Sequence, residues 1–143
     1  MSDTSDRIER DITINAPLER VWELITQPEH VGRWFGDAGA EIDLRPGGAM
    51  SLSWADHGTV HGRVERVEPM TLFSYRWEVA SAGTTLVEFT LAASGDGTRL
   101  HVTESGFDAL EGAEEKRRAL YDDHVGGWGV ELGHLAEHSR VQV

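Results

Sequence analysis

At 143 residues, with 13 Lys and Arg against 25 Asp and Glu and a formal charge of −12, the chain suits one domain over residues 1–143, and its mean field repels phosphate backbones and anionic lipid surfaces. Nucleic acid is therefore excluded as an expected partner, and the lack of cysteine removes disulfides, thiolate nucleophiles and zinc–thiolate sites. Met1 to Asp6 is polar and acidic, unlike a secretory signal, and no segment approaches membrane-spanning length, so the expectation is a cytoplasmic protein without membrane insertion.

In chain order, Ile12 and Ile14 share one face of an extended segment, and across Pro17 the period changes. Leu18, Val21, Trp22 and Ile25 then follow the i, i+3, i+4, i+7 stripe of a helix, with Pro17 expected at its first position and Glu19 near the positive end of its dipole. A second short helix is predicted from Pro28 to about Gly36, with Val31, Trp34 and Phe35 on one side. Ile42 and Leu44 lead into Pro46-Gly47-Gly48, after which Met50, Leu52 and Trp54 alternate, the pattern of a hairpin or a bulged strand.

Val60, Gly62 and Val64 form the next strand, which Pro69 ends. Phe73, Tyr75, Trp77 and Val79 alternate cleanly, as do Val87, Phe89 and Leu91. Ser94-Gly95-Asp96-Gly97 turns the chain into a last strand carrying Leu100 and Val102, so these two strands are expected to pair as a hairpin in an antiparallel sheet.

From about Ala113 the pattern is helical for more than twenty residues. Tyr121, Val125, Trp128, Leu132 and Leu135 make one apolar stripe, beside a strip of small residues, Gly126, Gly129, Gly133 and Ala136. Each interior glycine costs about 1 kcal/mol relative to alanine. The strip therefore either lets the helix approach a sheet closely, with no cavity, or leaves a dry, closed apolar cavity for a small molecule. Lys116-Arg117-Arg118, flanked by Glu114, Glu115, Asp122 and Asp123, is expected to pair at i,i+4 on a solvated face.

Catalytic and cofactor motifs are sparse. Ser105-Gly106 lacks the nucleophile-elbow pattern, and Pro46-Gly47-Gly48 is better explained as a β-turn than as a phosphate loop. His134 and His138 have metal-ligand spacing but lack the glutamate of a zinc protease motif and sit near a fraying end, so solvated histidines are expected, with no metal and no cofactor. His61 and His124 are candidates for polar contacts inside a cavity, or for bonds to backbone carbonyls. Glu104 either continues the inward face of Leu100 and Val102, where burial would make it an acid or a ligand anchor, or faces water as a strand-end carboxylate. Trp54, Tyr75 and Trp77 line a pocket or fill the core, while Trp128 and Leu132 face the same space from the helix.

The order strand, two helices, antiparallel strands and long C-terminal helix resembles the helix-grip fold of the START-like, birch-pollen-allergen-like (SRPBCC) superfamily. Within it the chain is similar to the family named for the activator of the heat-shock-protein-90 ATPase. The similarity is carried by Ile14-Asn15-Ala16-Pro17 with Val21-Trp22, Trp34-Phe35, Asp43-Leu44-Arg45-Pro46-Gly47-Gly48, Glu104-Ser105-Gly106-Phe107, and His124 with Gly127-Trp128. It implies an α+β fold, a curved antiparallel sheet wrapped around the long helix with two short helices after the first strand, and a deep apolar pocket under that helix.

Three functions follow as expectations. The leading one is non-catalytic binding of a small apolar or amphipathic molecule by Trp54, His61, Tyr75, Trp77, Glu104, His124, Trp128 and Leu132. The second is acid–base catalysis on such a molecule by Glu104, His61 or His124, as in cyclases and aromatases of the superfamily. The third, supported only by the family name, is a chaperone partner; the family members that stimulate the chaperone carry a further domain ahead of this one. A homodimer is compatible with the sequence.

Overall fold

The computed structural model describes residues 7–35, 38–56, 58–79 and 82–139, with side chains through Glu137. Met1 to Asp6, Gly36, and the side chain of His138 lie outside the described residues. The elements in order are β1 (Arg7–Ile14), α1 (Leu18–Thr26), α2 (Pro28–Trp34), β2 (Ala40–Ile42), β3 (Ala49–Trp54), β4 (Gly58–Glu68), β5 (Leu72–Glu78), β6 (Thr84–Ser94), β7 (Gly97–Ser105), a 3-10 turn (Phe107–Ala109) and α3 (Glu114–Ser139). All strand pairs are antiparallel, in one sheet ordered β1-β7-β6-β5-β4-β3-β2. Consecutive strands β1 and β2 thus occupy opposite edges, and α1 and α2 carry the chain between them.

The change of period at Pro17 produces that crossing. Ile8 and Ile14 are buried from β1, and Val21, Leu24 and Ile25 from α1. Pro17 is the N-cap, with φ −68° and ψ 160°, one position before the expected one. Its carbonyl accepts the Val21 N–H at 3.1 Å, so the missing proline N–H costs nothing. Two side-chain bonds anchor the segment. Thr98 Oγ1 donates to the Ala16 carbonyl at 2.8 Å, and Trp34 Nε1 donates to the Leu24 carbonyl at 2.7 Å, joining α2 to α1.

The strands behave as their alternation requires. Phe73, Tyr75 and Trp77 are buried from β5; Thr85, Val87, Phe89 and Leu91 from β6; Leu100, Val102 and Glu104 from β7. β6 and β7 close through the two-residue turn Gly95-Asp96, with Ser94 opposite Gly97. In the core, Phe89 stacks on Phe73 at 6.2 Å and meets Trp34 and Trp128 edge-on at 6.4 and 5.9 Å. Each such pair contributes about 1 kcal/mol beyond the area it buries.

The long helix packs differently from the glycine-strip expectation. Trp128, Leu132 and Leu135 are buried, and Tyr121 and Val125 are half-buried against the core. A Cβ built on Gly126, Gly127, Gly129 or Gly133 meets no atom within 4 Å. Close approach to the sheet is therefore not what these glycines provide. Arg117 Nη1 donates to the Gly112 carbonyl at 2.6 Å, and among the described residues no ion pair joins the Lys116-Arg117-Arg118 cluster to the flanking acids. No helix is long and apolar enough to cross a membrane among the described residues.

Candidate functional site

A cavity of about 730 Å³ lies between the middle of α3, Leu120 to Glu131, and the inner face of β3, β4 and β5. Trp54, Val60, Trp77 and Val79 form its sheet wall, and Phe35 reaches it from the end of α2. Leu120, Trp128 and Val130 face it from α3. The aromatic wall is continuous: Phe35 stacks on Trp77 at 5.8 Å, and Trp54 stands edge-on to both at 5.8 and 6.3 Å. Gly62 explains where Trp77 sits. Paired directly with Trp77, it would place a Cβ 2.6 Å from the Arg76 carbonyl and 3.2 Å from the Trp77 ring, so only glycine fits beneath that indole.

The cavity is open to solvent rather than dry and closed. Asp122, Asp123, Gly126, Gly127 and Val130, all exposed, form its mouth along α3. Gly126 and Gly127 thus keep the entrance unobstructed, whereas Gly129 and Gly133 face outward and nothing in the structure explains them.

At the inner end lies Glu104, only 1 % exposed. β7 brings it inward by strict alternation from Leu100 and Val102, so of the two sequence alternatives the buried one holds. Its carboxylate is saturated with donors. His124 Nδ1 lies 2.9 Å from both oxygens, Trp128 Nε1 donates to Oε1 at 2.8 Å, and Thr85 Oγ1 donates to Oε2 at 2.5 Å. His124 and Trp128 are one helical turn apart, and so present their N–H groups to the same acceptor. Thr85 is diagonal to Glu104 across the β6–β7 pair, next to Val87, its direct partner. This donor set is what makes a buried carboxylate tolerable.

Burial alone would lower the His124 pKa, but the hydrogen bond to Glu104, the Glu104 charge and the Asp123 charge outweigh it and hold the imidazole above its ordinary value. Phe107 props the ring edge-on at 5.4 Å, placed there by the turn at Gly106, whose φ of 98° favours glycine. His124 Nε2 has no hydrogen-bond partner among the described residues. Tyr75 is different: its buried hydroxyl has no partner among the described residues. Burial, aided by the Glu104 charge, pushes its pKa well above the usual tyrosine value, so it stays a neutral phenol.

Of the residues singled out from sequence, Trp54, Trp77, Glu104, His124 and Trp128 border the cavity. Three do not. Tyr75 and Leu132 are buried in the core, outside the lining. His61 is exposed on the outer face of β4, its backbone N–H donating to Glu78 Oε1 at 3.3 Å. Alternation from Val60 and Gly62 already points His61 outward, so its parity was the missed signal. Thr85 was missed as a partner of Glu104 although it shares the parity of Val87 and Phe89. His134 lies on the surface, 3.1 Å from Glu131, and no cluster able to hold a metal occurs among the described residues.

The seven-stranded grip on one long helix, with a cavity between them, defines a START-like, SRPBCC protein of α+β class. The model of the family "Activator of Hsp90 ATPase homolog 1-like protein" matches residues 15–139, and the chain belongs to that family. No curated protein matches the chain. Among solved structures it is similar to CalU16 from Micromonospora echinospora (26 % identity, TM-score 0.74, covering 94 % of this chain and 76 % of that one). It is also similar to MLL2253 from Mesorhizobium loti (25 %, TM-score 0.80, covering 96 % and 99 %). DynU16, a protein of the dynemicin biosynthetic locus, is 25 % identical with a TM-score of 0.76 over 93 % of this chain, which spans 46 % of DynU16.

Proposed function

We propose that this chain, acting as one domain, binds a small hydrophobic or amphipathic molecule without catalysis in the cavity between α3 and β3–β5. The observation that carries the proposal is the pairing of an aromatic wall, Trp54, Trp77 and Phe35, with one donor-saturated carboxylate at the inner end. Apolar surface supplies affinity there, and the His124 Nε2 that the carboxylate holds in place is the polar group left to orient the occupant. The volume suits a drug-sized molecule. Because DynU16 comes from the dynemicin biosynthetic locus, products of such loci belong in the first panel, beside lipids and simple aromatics.

A thermal-shift screen tests the proposal. A ligand at a hundredfold excess over its Kd adds about 2.7 kcal/mol of stability. Gly127→Trp, at a mouth position with open space around it, should fold normally and abolish the shift. Flat melting curves across the panel, or shifts unaltered in Gly127→Trp, would overturn it.

A second function is favoured by one observation. A histidine held through Nδ1 by a buried carboxylate and unbonded at Nε2 has the arrangement of a general base. If a bound ligand is turned over, His124→Gln should abolish turnover while leaving binding intact; equal turnover by the variant would exclude the role.

A further inference from the structure

Charge around the cavity is one-sided. Five carboxylates, Glu78, Glu104, Asp122, Asp123 and Glu131, border it; among the described residues no lysine or arginine does, and the one imidazole, His124, is paired with Glu104. The chain as a whole carries 13 basic residues for 25 acidic ones, so a lining without any is more polarised than composition requires. The acids are also unequally committed. Glu104 is saturated by Thr85, His124 and Trp128, Glu78 accepts the His61 N–H, and Glu131 lies 3.4 Å from Trp54 Nε1. Asp122 and Asp123, exposed at the mouth, have no hydrogen bond or salt bridge among the described residues, although the Asp123 charge acts on His124 at a distance.

A row of carboxylates alone would be an ordinary solvated face. Here it edges a concave wall in which half-buried Trp54 and buried Trp77 stand at 76° to one another. Indole faces attract cations through their quadrupole, more strongly where water is displaced. Aromatic faces beside uncommitted carboxylates therefore favour the same charge. An anionic amphiphile such as a fatty acid would meet repulsion at the mouth and, inside, only the His124 imidazole, whose charge Glu104 already balances.

Resting on the binding proposal above, we infer that the occupant is cationic: an aromatic or alicyclic body lying on Trp54 and Trp77, with a protonated amine or quaternary ammonium directed at Asp122 and Asp123. The carboxylates raise the local concentration of such a molecule, the indole faces beside them attract its ammonium, and the apolar area of the indoles holds its body. Neutral molecules of the same shape bind more weakly, and carboxylates weakest.

A matched series tests the assignment by calorimetry: naphthylethylamine, its neutral N-acetyl derivative, and naphthylpropanoic acid, with wild-type protein. The amine should bind about tenfold more tightly than the amide, and the acid more weakly than either. The margin should shrink at high salt, since the mouth is solvent-exposed. It should shrink also in the surface variant Asp122→Asn/Asp123→Asn, and amine binding should vanish in Gly127→Trp. Equal binding of amine and amide, or a margin unchanged in the double variant, overturns the cation while leaving the binding proposal standing. So does a panel in which other compounds bind and the amine does not. If nothing binds at all, both fall together.

Discussion

Two stretches of α3 meet the same sheet in opposite ways. Toward its C-terminus the helix contributes Leu132 and Leu135 to a core also filled by Trp34, Phe73 and Phe89, and it packs against α1 and α2. One to two turns earlier it presents Gly126 and Gly127, and the space before them is a cavity. Backbone geometry is helical throughout. What separates core from cavity is side-chain volume on one helix and, among the described residues, the lack of a covering element: α2 ends at Trp34, and no described residue beyond Phe35 shields the β3–β5 side in a comparable way.

Breaking the packed stretch should have the largest effect. Trp34→Ala removes a fully buried indole and its hydrogen bond to Leu24, and should cost about 4 kcal/mol in chemical denaturation. A loss below about 1 kcal/mol would mean that this end is no better packed than the other.

The glycines sharpen the contrast at intermediate scale. Gly129→Ala, in open space on the helix surface, should stabilise by about 1 kcal/mol, because alanine lowers the cost of helix formation and meets nothing. Destabilisation would show that α3 sits closer to its surroundings than the open space around Gly129 indicates.

The smallest effect is that of pH on the Glu104–His124 pair. With its folded pKa above the unfolded value of about 6.5, protonated His124 contributes stability that is fully present below the unfolded pKa. That contribution is lost as pH rises through the folded pKa. His124→Gln keeps a donor but cannot titrate, so the melting-temperature difference between wild type and variant should move against wild type across that window. A difference independent of pH would show that the imidazole does not ionise in the folded protein.

Much of this arrangement was legible before any coordinates. Alternation in Phe73-Tyr75-Trp77 and Val87-Phe89-Leu91 assigns the inner face, and the change of period at Pro17 assigns the crossing. His61 shows a local rule overlooked: its parity with respect to Val60 points it outward. Tyr75 and Leu132 mark a real boundary, because alternation separates inward from outward but not cavity from core.

Local order thus decided which residues turn inward: period two and period 3.6 are properties of single segments, set by backbone sterics and the exclusion of apolar groups from water. That Thr85, Glu104, His124 and Trp128 converge on one carboxylate was decided only by the tertiary structure. Their segments meet through the β6–β7 register and the seat of α3, and neither is encoded in the spacing of any one of them. The cavity arose in the same way, as the volume left where the helix grip carries glycine and no further element among the described residues covers it.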